Sequence, residues 1–342
     1  MTDLVSLPKA HLHLHFTGAM RLETMRELSE EQAVRLPPHL LDADPLKVPA
    51  NARGWFRFQR SYDAARSLVR SEEVMRRIVR EATEDDAEEG SVRMEMQVDP
   101  TSYAPWVGGL TPALEIVLDE AKAASADTGV EVGIIVAASR MKHPLDARTL
   151  ARLASQYAGS GPGHVVGFGL SNDERVGTTA DFGAAFRIAR EAGLASVPHG
   201  GELLGPTSVR QVMGHLAPTR LGHGVRATED AELLDRLVSE GIAFEVCPAS
   251  NVSLGIYPSG KDVPLRELVS AGAKVALGAD DPLLFKSRLT EQYRTAQQEH
   301  GFSEPELADL ARSSVEASLA SEDSKLRWNR EIDAWETAQL GP

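Results

Sequence analysis

The chain alternates short apolar runs, many of them rich in β-branched residues, with longer amphipathic stretches. Apolar runs of this length, bounded by turn residues, predict buried strands. The eight predicted strands are Ala10–His15, Val92–Val98, Val132–Ala138, His164–Leu170, Leu194–His199, Arg220–His223, Ala243–Cys247 and Lys274–Gly278. Because strands that alternate with helices form parallel sheets, eight such units predict a closed (β/α)8 TIM barrel with additional helices rather than an open sheet.

Amphipathic stretches fill most of the intervals between these runs. In Ser71–Glu88, for example, Val74 and Ile78 recur at helical spacing. The other predicted helices are Thr111–Ala124, Ala180–Ala192, Glu229–Glu240, Pro264–Ala271, Glu304–Leu319 and Asp323–Gln339. The pair Thr111 and Pro112 suits an N-cap and a first helical turn. No low-complexity segment or linker divides the chain, so we expect residues 1–342 to form a single domain.

The number of cysteines and the length of the apolar stretches indicate the cellular compartment of the protein. The single cysteine, Cys247, excludes an intrachain disulfide and fits a reducing cytoplasm. The first residues lack the basic segment followed by an apolar one that marks a secretory signal. Apolar stretches such as Val132–Ala138 are too short to span a bilayer. We therefore expect a cytoplasmic protein that does not enter a membrane.

The formal net charge of −14 limits the classes of partner. A surface this acidic repels phosphate backbones and anionic lipids, which argues against nucleic acid and membranes. Charge does not identify a small substrate, because a pocket can differ in sign from the surface around it. We expect a small-molecule partner, and the sequence leaves the oligomeric state open.

Polar side chains end half of the predicted strands. The first strand ends in His11-Leu-His13-Leu-His15, the fifth leads into His199 and Glu202, the sixth ends at His223, and the eighth leads into Asp280 and Asp281. In a (β/α)8 barrel the carboxyl ends of all strands form one rim, which carries the active site. The sequence therefore predicts that these side chains converge on one site.

Four residues of this rim form a candidate metal site. His13 and His15 are two apart on a strand, so their side chains share a face and can bind one ion together. Alone, such a pair is equally compatible with two hydrogen-bonded polar residues. With His199 and Asp280 the set has three imidazoles and one carboxylate, which suits one Zn²⁺ per chain and leaves a position for water. The metal would lower the pKa of that water and make hydroxide available.

Other residues of the rim have two interpretations each. Glu202 alone is compatible with a solvated loop acid, and His223 with a buried hydrogen-bonded imidazole. Their place beside the metal set favours catalytic roles. We interpret His11 as a packed or hydrogen-bonded residue rather than a further ligand. Cys247 has no C-x-x-C partner, which excludes the cysteine-ligated pattern of the zinc deaminases that act on cytosine.

Six short motifs follow one another in the order typical of a known family. They are PKAHLHLHFTGA (8–19), GFGLSNDE (167–174), PHGGE (198–202), RLGHG (220–224), FEVCPASN (244–251) and LGADDPLLF (277–285). On these motifs the chain resembles the adenosine deaminase family of the amidohydrolase superfamily, over nearly its whole length. The resemblance implies an amidohydrolase-type TIM barrel and hydrolytic removal of the purine 6-amino group.

The resemblance also implies roles for individual residues. The implied zinc ligands are His13, His15, His199 and Asp280. Glu202 would give a proton to purine N1, and His223 would orient the attacking water and assist its deprotonation. Asp281 would face purine N7 and, because N7 is an acceptor, would have to be protonated. The implied substrate contacts are His15, Thr17, Asn172 and Asp281. The implied reaction is attack of zinc-activated hydroxide at C6, which converts adenosine to inosine and ammonia.

Three positions depart from the family pattern. Thr17 stands where the family carries an acid that holds the 5′-hydroxyl of adenosine. Threonine can still hydrogen-bond there, but more weakly and without charge. Asn172 stands where members carry glycine, whose backbone approaches purine N3, so a side chain is expected to crowd the ring. Gly200 replaces a common alanine, which we expect to be harmless.

The change at Thr17 leaves the substrate open. We favour adenosine, but 6-amino-6-deoxyfutalosine, a menaquinone precursor with a carboxylate-bearing 5′ extension, is a second option, and adenine is a third. Arg57 or Arg60 could pair with that carboxylate. The neighbouring aromatic residues that could cover its ring are Trp55, Phe56 and Phe58. Alternatively, this segment is a lid helix with an apolar underside.

Two alternative hypotheses assign the chain to other classes of protein. A metal-dependent phosphoesterase can also carry H-x-H at its first strand, but few basic residues lie near the motifs to bind a phosphate. A barrel that only binds a ligand is the non-enzymatic alternative. Retention of every rim residue argues against it, since such a protein is free to lose them.

Overall fold

Eight parallel strands follow one another around a barrel in the order of the chain. The structure, a computed structural model, describes residues 2–340. The strands are β1 (Lys9–His15), β2 (Ser91–Val98), β3 (Glu131–Ser139), β4 (Val165–Ser171), β5 (Ala195–Gly200), β6 (Arg220–His223), β7 (Ala243–Val246) and β8 (Val275–Leu277). The predicted (β/α)8 barrel is thus confirmed, and each predicted strand end lies within one residue of the observed one.

The barrel is closed between its first and last strands. The His15 amide donates to the Asp280 carbonyl at 2.9 Å, and the Asp280 amide donates to the His13 carbonyl at 3.0 Å. Leu14 and Asp280 form a parallel bridge just beyond the end of β8. The closure therefore brings Asp280 directly beside the two histidines of β1.

Fifteen α-helices lie in residues 2–340. They are α1 (Leu22–Glu31), α2 (Ala52–Arg66), α3 (Glu72–Glu88), α4 (Ala104–Val107), α5 (Leu110–Thr128), α6 (Pro144–Gln156), α7 (Gly183–Glu191), α8 (Pro206–Leu216), α9 (Ala231–Ser239), α10 (Pro248–Ser253), α11 (Leu265–Ser270), α12 (Pro282–Phe285), α13 (Leu289–His300), α14 (Glu304–Ala317) and α15 (Glu322–Leu340). Within that part of the chain, none is both long and apolar enough to cross a membrane.

Two predicted helices differ in detail. The helix predicted from Thr111 begins one residue earlier, after Gly109, whose φ of 144° is a backbone conformation that glycine alone adopts readily. Thr111 and Pro112 therefore lie in the first turn, and Thr111 is not the N-cap. The stretch predicted as one helix over 180–192 is a short 3₁₀ helix, Thr179–Phe182, followed by α7.

Buried charges occupy the barrel interior below the rim. Glu95 accepts hydrogen bonds from Arg93 at 3.0 Å and from Arg220 at 2.6 Å. Arg220 also donates to Glu245 at 2.6 Å. All four side chains are almost completely buried, so each charge must be compensated by a partner. The positive charge of Arg220, after the opposing effect of burial, holds the pKa of Glu95 below its usual value. This network reaches upward to the metal-site candidates through Glu245.

Candidate active site

Three histidines and one aspartate meet at the carboxyl end of the barrel. His13 and His15 end β1, His199 lies in β5, and Asp280 follows β8. One potential ligand atom from each of the four lies within 4.8 Å of the others. The structure thus brings together the full set predicted as metal ligands. His13, His199 and Asp280 are buried, while 15% of the His15 side chain is exposed toward the pocket.

The donor atoms of this cluster fit a cation. His13 Nε2 and His199 Nδ1 are buried without a hydrogen-bond partner, although an unpaired buried polar atom costs free energy. The Asp280 carboxylate lies 3.4 Å from His13 Nε2 and 3.2 Å from His15 Nε2. Burial lowers the pKa of His13, but the adjacent carboxylates of Asp280 and Glu245 outweigh that effect and raise it to about 10. The cluster therefore attracts positive charge, and three imidazoles with one carboxylate match the preference of Zn²⁺.

Two buried residues that the sequence analysis missed hold the cluster in place. Glu245 on β7 accepts from His13 Nδ1 at 2.7 Å, which leaves Nε2 free for a metal. Ser250 at the start of α10 donates to Asp280 Oδ2 at 2.6 Å. A glutamate inside the apolar run of β7 is the sequence feature that could have indicated such a role. Ser250 lies in the motif FEVCPASN (244–251), to which the sequence analysis assigned no role.

Glycines give these side chains room. A Cβ at Gly222 would lie 3.0 Å from the His13 ring and 3.1 Å from the His199 ring. A Cβ at Gly18 would lie only 1.9 Å from an Asp281 carboxylate oxygen, a separation that real atoms do not adopt. Gly18 is therefore required by the position of Asp281.

Glu202 and His223 lie close together beside the cluster. The nearest oxygen of Glu202 is 3.7 Å from His223 Nε2, which is 3.8 Å from an Asp280 oxygen. Burial, reinforced by the negative charge of Asp280, raises the pKa of Glu202 well above its usual value. Burial lowers the pKa of His223 to about 3. These shifts favour a protonated Glu202 and a neutral His223, a combination suited to proton transfer.

Asp281 lies next to this pair in a buried position. Its side chain is buried, and Oδ1 has no hydrogen-bond partner. Burial and the negative charge of Asp280 raise its pKa well above the usual range, which favours the protonated form. A protonated carboxyl can donate a hydrogen bond, so this shift is compatible with the role predicted for Asp281, which stays a prediction.

His11 lies deeper in the barrel and outside the ligand cluster. Its Nε2 accepts from the Ala279 amide at 3.0 Å, and its Nδ1 donates to Asp86 at 2.9 Å. Both ring nitrogens are therefore occupied, and the prediction of a hydrogen-bonded residue is confirmed.

Thr17 is not among the residues that line the pocket. Its side chain is fully buried, and its hydroxyl lies 2.6 Å from the Tyr103 hydroxyl. Tyr103, on the other hand, lines the pocket. A direct contact between Thr17 and the substrate therefore stays a prediction, and the hydroxyl of Thr17 is engaged by Tyr103 in this structure.

Asn172 lines the pocket with a backbone conformation that explains the residue type. Its φ is 80°, in the left-handed region where glycine is most at ease and asparagine is the next best tolerated residue. Its side-chain oxygen accepts from the Asp173 amide at 3.0 Å. The backbone conformation at position 172 therefore does not require glycine. The Asn172 side chain is hydrogen-bonded within its own loop.

A pocket with about 710 Å³ of empty space, including its open mouth, extends outward from the cluster. Helix α2 supplies one wall through Trp55, Phe58, Gln59, Tyr62 and Arg66. The remaining wall includes Ser102, Tyr103, Ser139 and Ser171.

The arginines and one aromatic residue proposed from sequence are not part of this wall. Phe56 is 60% exposed, and Arg57 and Arg60 are exposed on the outer face of α2. Trp55 and Phe58 do line the pocket, and the arginine that accompanies them is Arg66. The segment is thus a helix with an apolar underside over the pocket.

Comparison with known proteins agrees with the geometry. The barrel and its site define a purine-deaminating hydrolase of the amidohydrolase type. The profile of the adenosine deaminase family matches residues 8–335, and the chain belongs to that family.

Relatives and solved structures extend this match. A putative adenosine/adenine deaminase from Streptomyces virginiae is 58% identical, with 98% of each chain covered. An adenine deaminase from Sinorhizobium fredii is 35% identical, with 94% of this chain and 97% of the relative covered. A solved adenine deaminase from Arthrobacter aurescens is 27% identical and superposes with a TM-score of 0.87 over 96% of this chain and 99% of that chain. A zinc-containing amidohydrolase from Burkholderia ambifaria, 23% identical, shares the fold with a TM-score of 0.85 over 98% of this chain and 93% of that chain.

Proposed function

We propose that this chain is a zinc-dependent hydrolase that removes the 6-amino group from a 6-aminopurine nucleoside, with adenosine as the reference substrate. One observation carries the proposal: the four candidate metal ligands lie beside three side chains suited to proton transfer and hydrogen bonding. The pKa values of Glu202 and Asp281 are raised, and that of His223 is lowered. A phosphoesterase would instead need cations at this end of the pocket, and the lining there is acidic.

The metal ligands in this proposal are His13, His15, His199 and Asp280. When bound, Zn²⁺ supplies a water molecule whose lowered pKa makes it nucleophilic near neutral pH. The orphaned nitrogens of His13 and His199 support this assignment.

Glu202 and His223 divide the proton transfers between them. Attack at C6 adds electron density to the ring, and Glu202 stabilises it by giving its proton to N1. The neutral His223 orients the attacking water and accepts its proton. After protonation of the amino group, ammonia leaves, the hydroxyl proton on C6 returns to Glu202, and a 6-oxopurine remains.

Asp281 and Asn172 orient the ring in this arrangement. The protonated Asp281 donates to N7, an acceptor that a carboxylate would repel. The Asn172 backbone has the left-handed conformation that lets the loop approach N3. The purine thus presents C6 toward the metal cluster.

The lining of the pocket favours a nucleoside over a free base. Besides the residues assigned to the purine, it includes Trp55, Tyr103 and Arg66, which a ribose and its 5′ group would contact. Thr17 offers no carboxylate to a 5′-hydroxyl, while Arg66 and the aromatic wall suit a 5′ extension that bears an anion. Adenine is a second candidate, because curated relatives about one-third identical to this chain are named adenine deaminases.

Purified, zinc-loaded protein tests the proposed chemistry through Glu202→Gln. The amide keeps the shape of the side chain but cannot give its proton to N1. We expect kcat to fall by about 10²–10⁴-fold with bound zinc unchanged. Full activity of this variant would contradict the assignment of Glu202, and wild-type protein that retains activity after complete metal removal would contradict the metal assignment.

A further inference from the structure

Glu174, the last residue of the GLSNDE motif, binds the loop that carries Glu202. Its side chain is buried in the segment that follows β4. Oε1 accepts from the Gly201 amide at 2.8 Å. Oε2 accepts from the amides of Glu202, Leu203 and Leu204 at 3.0, 2.6 and 3.0 Å. One carboxylate therefore satisfies four consecutive backbone amides.

These amides have no partner within regular structure. They belong to the connection between the end of β5 and the start of α8, where no ladder or helical carbonyl is in reach. Buried backbone amides must nevertheless be paired. The Ser208 hydroxyl of α8 donates to Glu174 Oε1 at 3.1 Å, which ties the same carboxylate to the following helix. The course of residues 201–204 is thus organised around Glu174.

We infer that Glu174 is a positioning residue for the deamination: it fixes the backbone of residues 201–204 and thereby places the Glu202 carboxyl against the substrate ring. The inference rests on the proposed role of Glu202. Displacement of a reacting group by about 1 Å costs on the order of 10²-fold in rate. Glu174 itself is not among the residues that line the pocket. It acts only through the loop.

The negative charge of Glu174 also favours the proposed role of Glu202 as a proton donor. After burial and Asp280, it is the next contributor that raises the pKa of Glu202. The neighbouring Arg140 donates to the His199 carbonyl at 3.1 Å and thereby links Glu174's surroundings to β5. The geometry alone carries the inference, and the charge adds to it.

The test compares zinc-loaded Glu174→Gln and Glu174→Asp with the control Asp173→Asn. The amide in Glu174→Gln presents an N–H group to backbone donors, and the shorter aspartate keeps the charge but reaches fewer amides. Asp173 is a buried acid in the same motif, and its carboxylate accepts from Arg175. We expect kcat to fall about 10- to 100-fold in Glu174→Gln, with KM and zinc content nearly unchanged and faster hydrogen exchange at residues 201–204. Glu174→Asp should be intermediate, and Asp173→Asn close to wild type.

A double-mutant cycle separates positioning from a general structural effect. In the Glu202→Gln background, Glu174→Gln should reduce kcat by less than about twofold, because the group it positions is already inactive. Losses that multiply, or full activity of both Glu174 variants, would overturn the inference. If Glu174→Gln does not fold, the cycle is run with Glu174→Asp. Full activity of Glu202→Gln alone would instead refute the proposed proton donor.

Discussion

The imidazole of His13 donates from Nδ1 to the Glu245 carboxylate at 2.7 Å, and Glu245 accepts from Arg220 at 2.6 Å. The hydrogen bond fixes the tautomer of His13, so Nε2 presents its lone pair to the metal cluster. Arg220 in turn orients the carboxylate and balances its charge. The buried ion pairs below the rim thus orient His13, a proposed metal ligand.

Replacement of Glu245 should weaken metal binding more than it weakens folding. In Glu245→Gln we expect the affinity for zinc to fall by about 10- to 100-fold, since such outer partners contribute at this level. Competition with a chromophoric chelator measures the affinity. The matched control is Asp86→Asn, which removes the carboxylate partner of the non-ligand His11 on the same strand. Equal losses of affinity in both variants would show that only general stability was affected.

A methyl group at Gly18 should disrupt catalysis locally. In Gly18→Ala the new Cβ would lie 1.9 Å from an Asp281 oxygen, so the aspartate or the backbone must move. We expect kcat/KM to fall on the order of 10²-fold, and the free energy of unfolding to fall by about 1–3 kcal/mol. Gly214→Ala is the control, because its Cβ meets nothing within 4 Å in the exposed face of α8. Wild-type kinetics of Gly18→Ala would contradict the close contact.

The pH dependence follows from the raised pKa of Glu202. Only the protonated acid can give a proton to N1, so activity is retained below this raised pKa and declines as pH rises through it. We therefore expect an alkaline limb in the pH profile of kcat. A profile in which Glu202→Gln keeps the same rate and the same alkaline limb as wild type would be inconsistent with this origin.

Asp281 should contribute as a hydrogen-bond donor rather than as a charge. The amide of Asp281→Asn can still donate to N7, whereas Asp281→Ala cannot. We expect the asparagine variant to keep at least about tenfold more kcat/KM than the alanine variant. If the two variants are equally impaired, donation to N7 is not what Asp281 contributes.

The sequence pattern was sufficient for the barrel and for the convergence of the rim residues. Both are encoded locally, since each apolar run marks a strand and each motif marks its carboxyl end. Contacts between distant segments were not predictable in this way. Glu245 and Glu174 act through hydrogen bonds to segments 232 and 27–30 residues away, respectively. The hydrogen bond between Thr17 and Tyr103, which is 86 residues further along the chain, was not predictable either.

The helical phase of α2 explains why three residues proposed from the sequence do not line the pocket. Trp55, Phe58, Tyr62 and Arg66 recur three or four residues apart and share one face of the helix. Phe56, Arg57 and Arg60 fall on the outer face. The observed helix agrees with the alternative of a lid helix with an apolar underside, and the spacing of Trp55 and Phe58 in the sequence is typical of one helical face.

Side-by-side turnover of adenosine, adenine and 6-amino-6-deoxyfutalosine by zinc-loaded protein tests the central claim most directly. Loss of the 6-aminopurine absorbance gives kcat/KM for each compound under the same conditions. The account predicts efficient deamination of at least one nucleoside and a lower kcat/KM for adenine, because the pocket lining includes Trp55 and Arg66, which a ribose and its 5′ group would contact. A preference for adenine over both nucleosides would contradict the nucleoside assignment, and turnover of none of the three would contradict the proposed reaction.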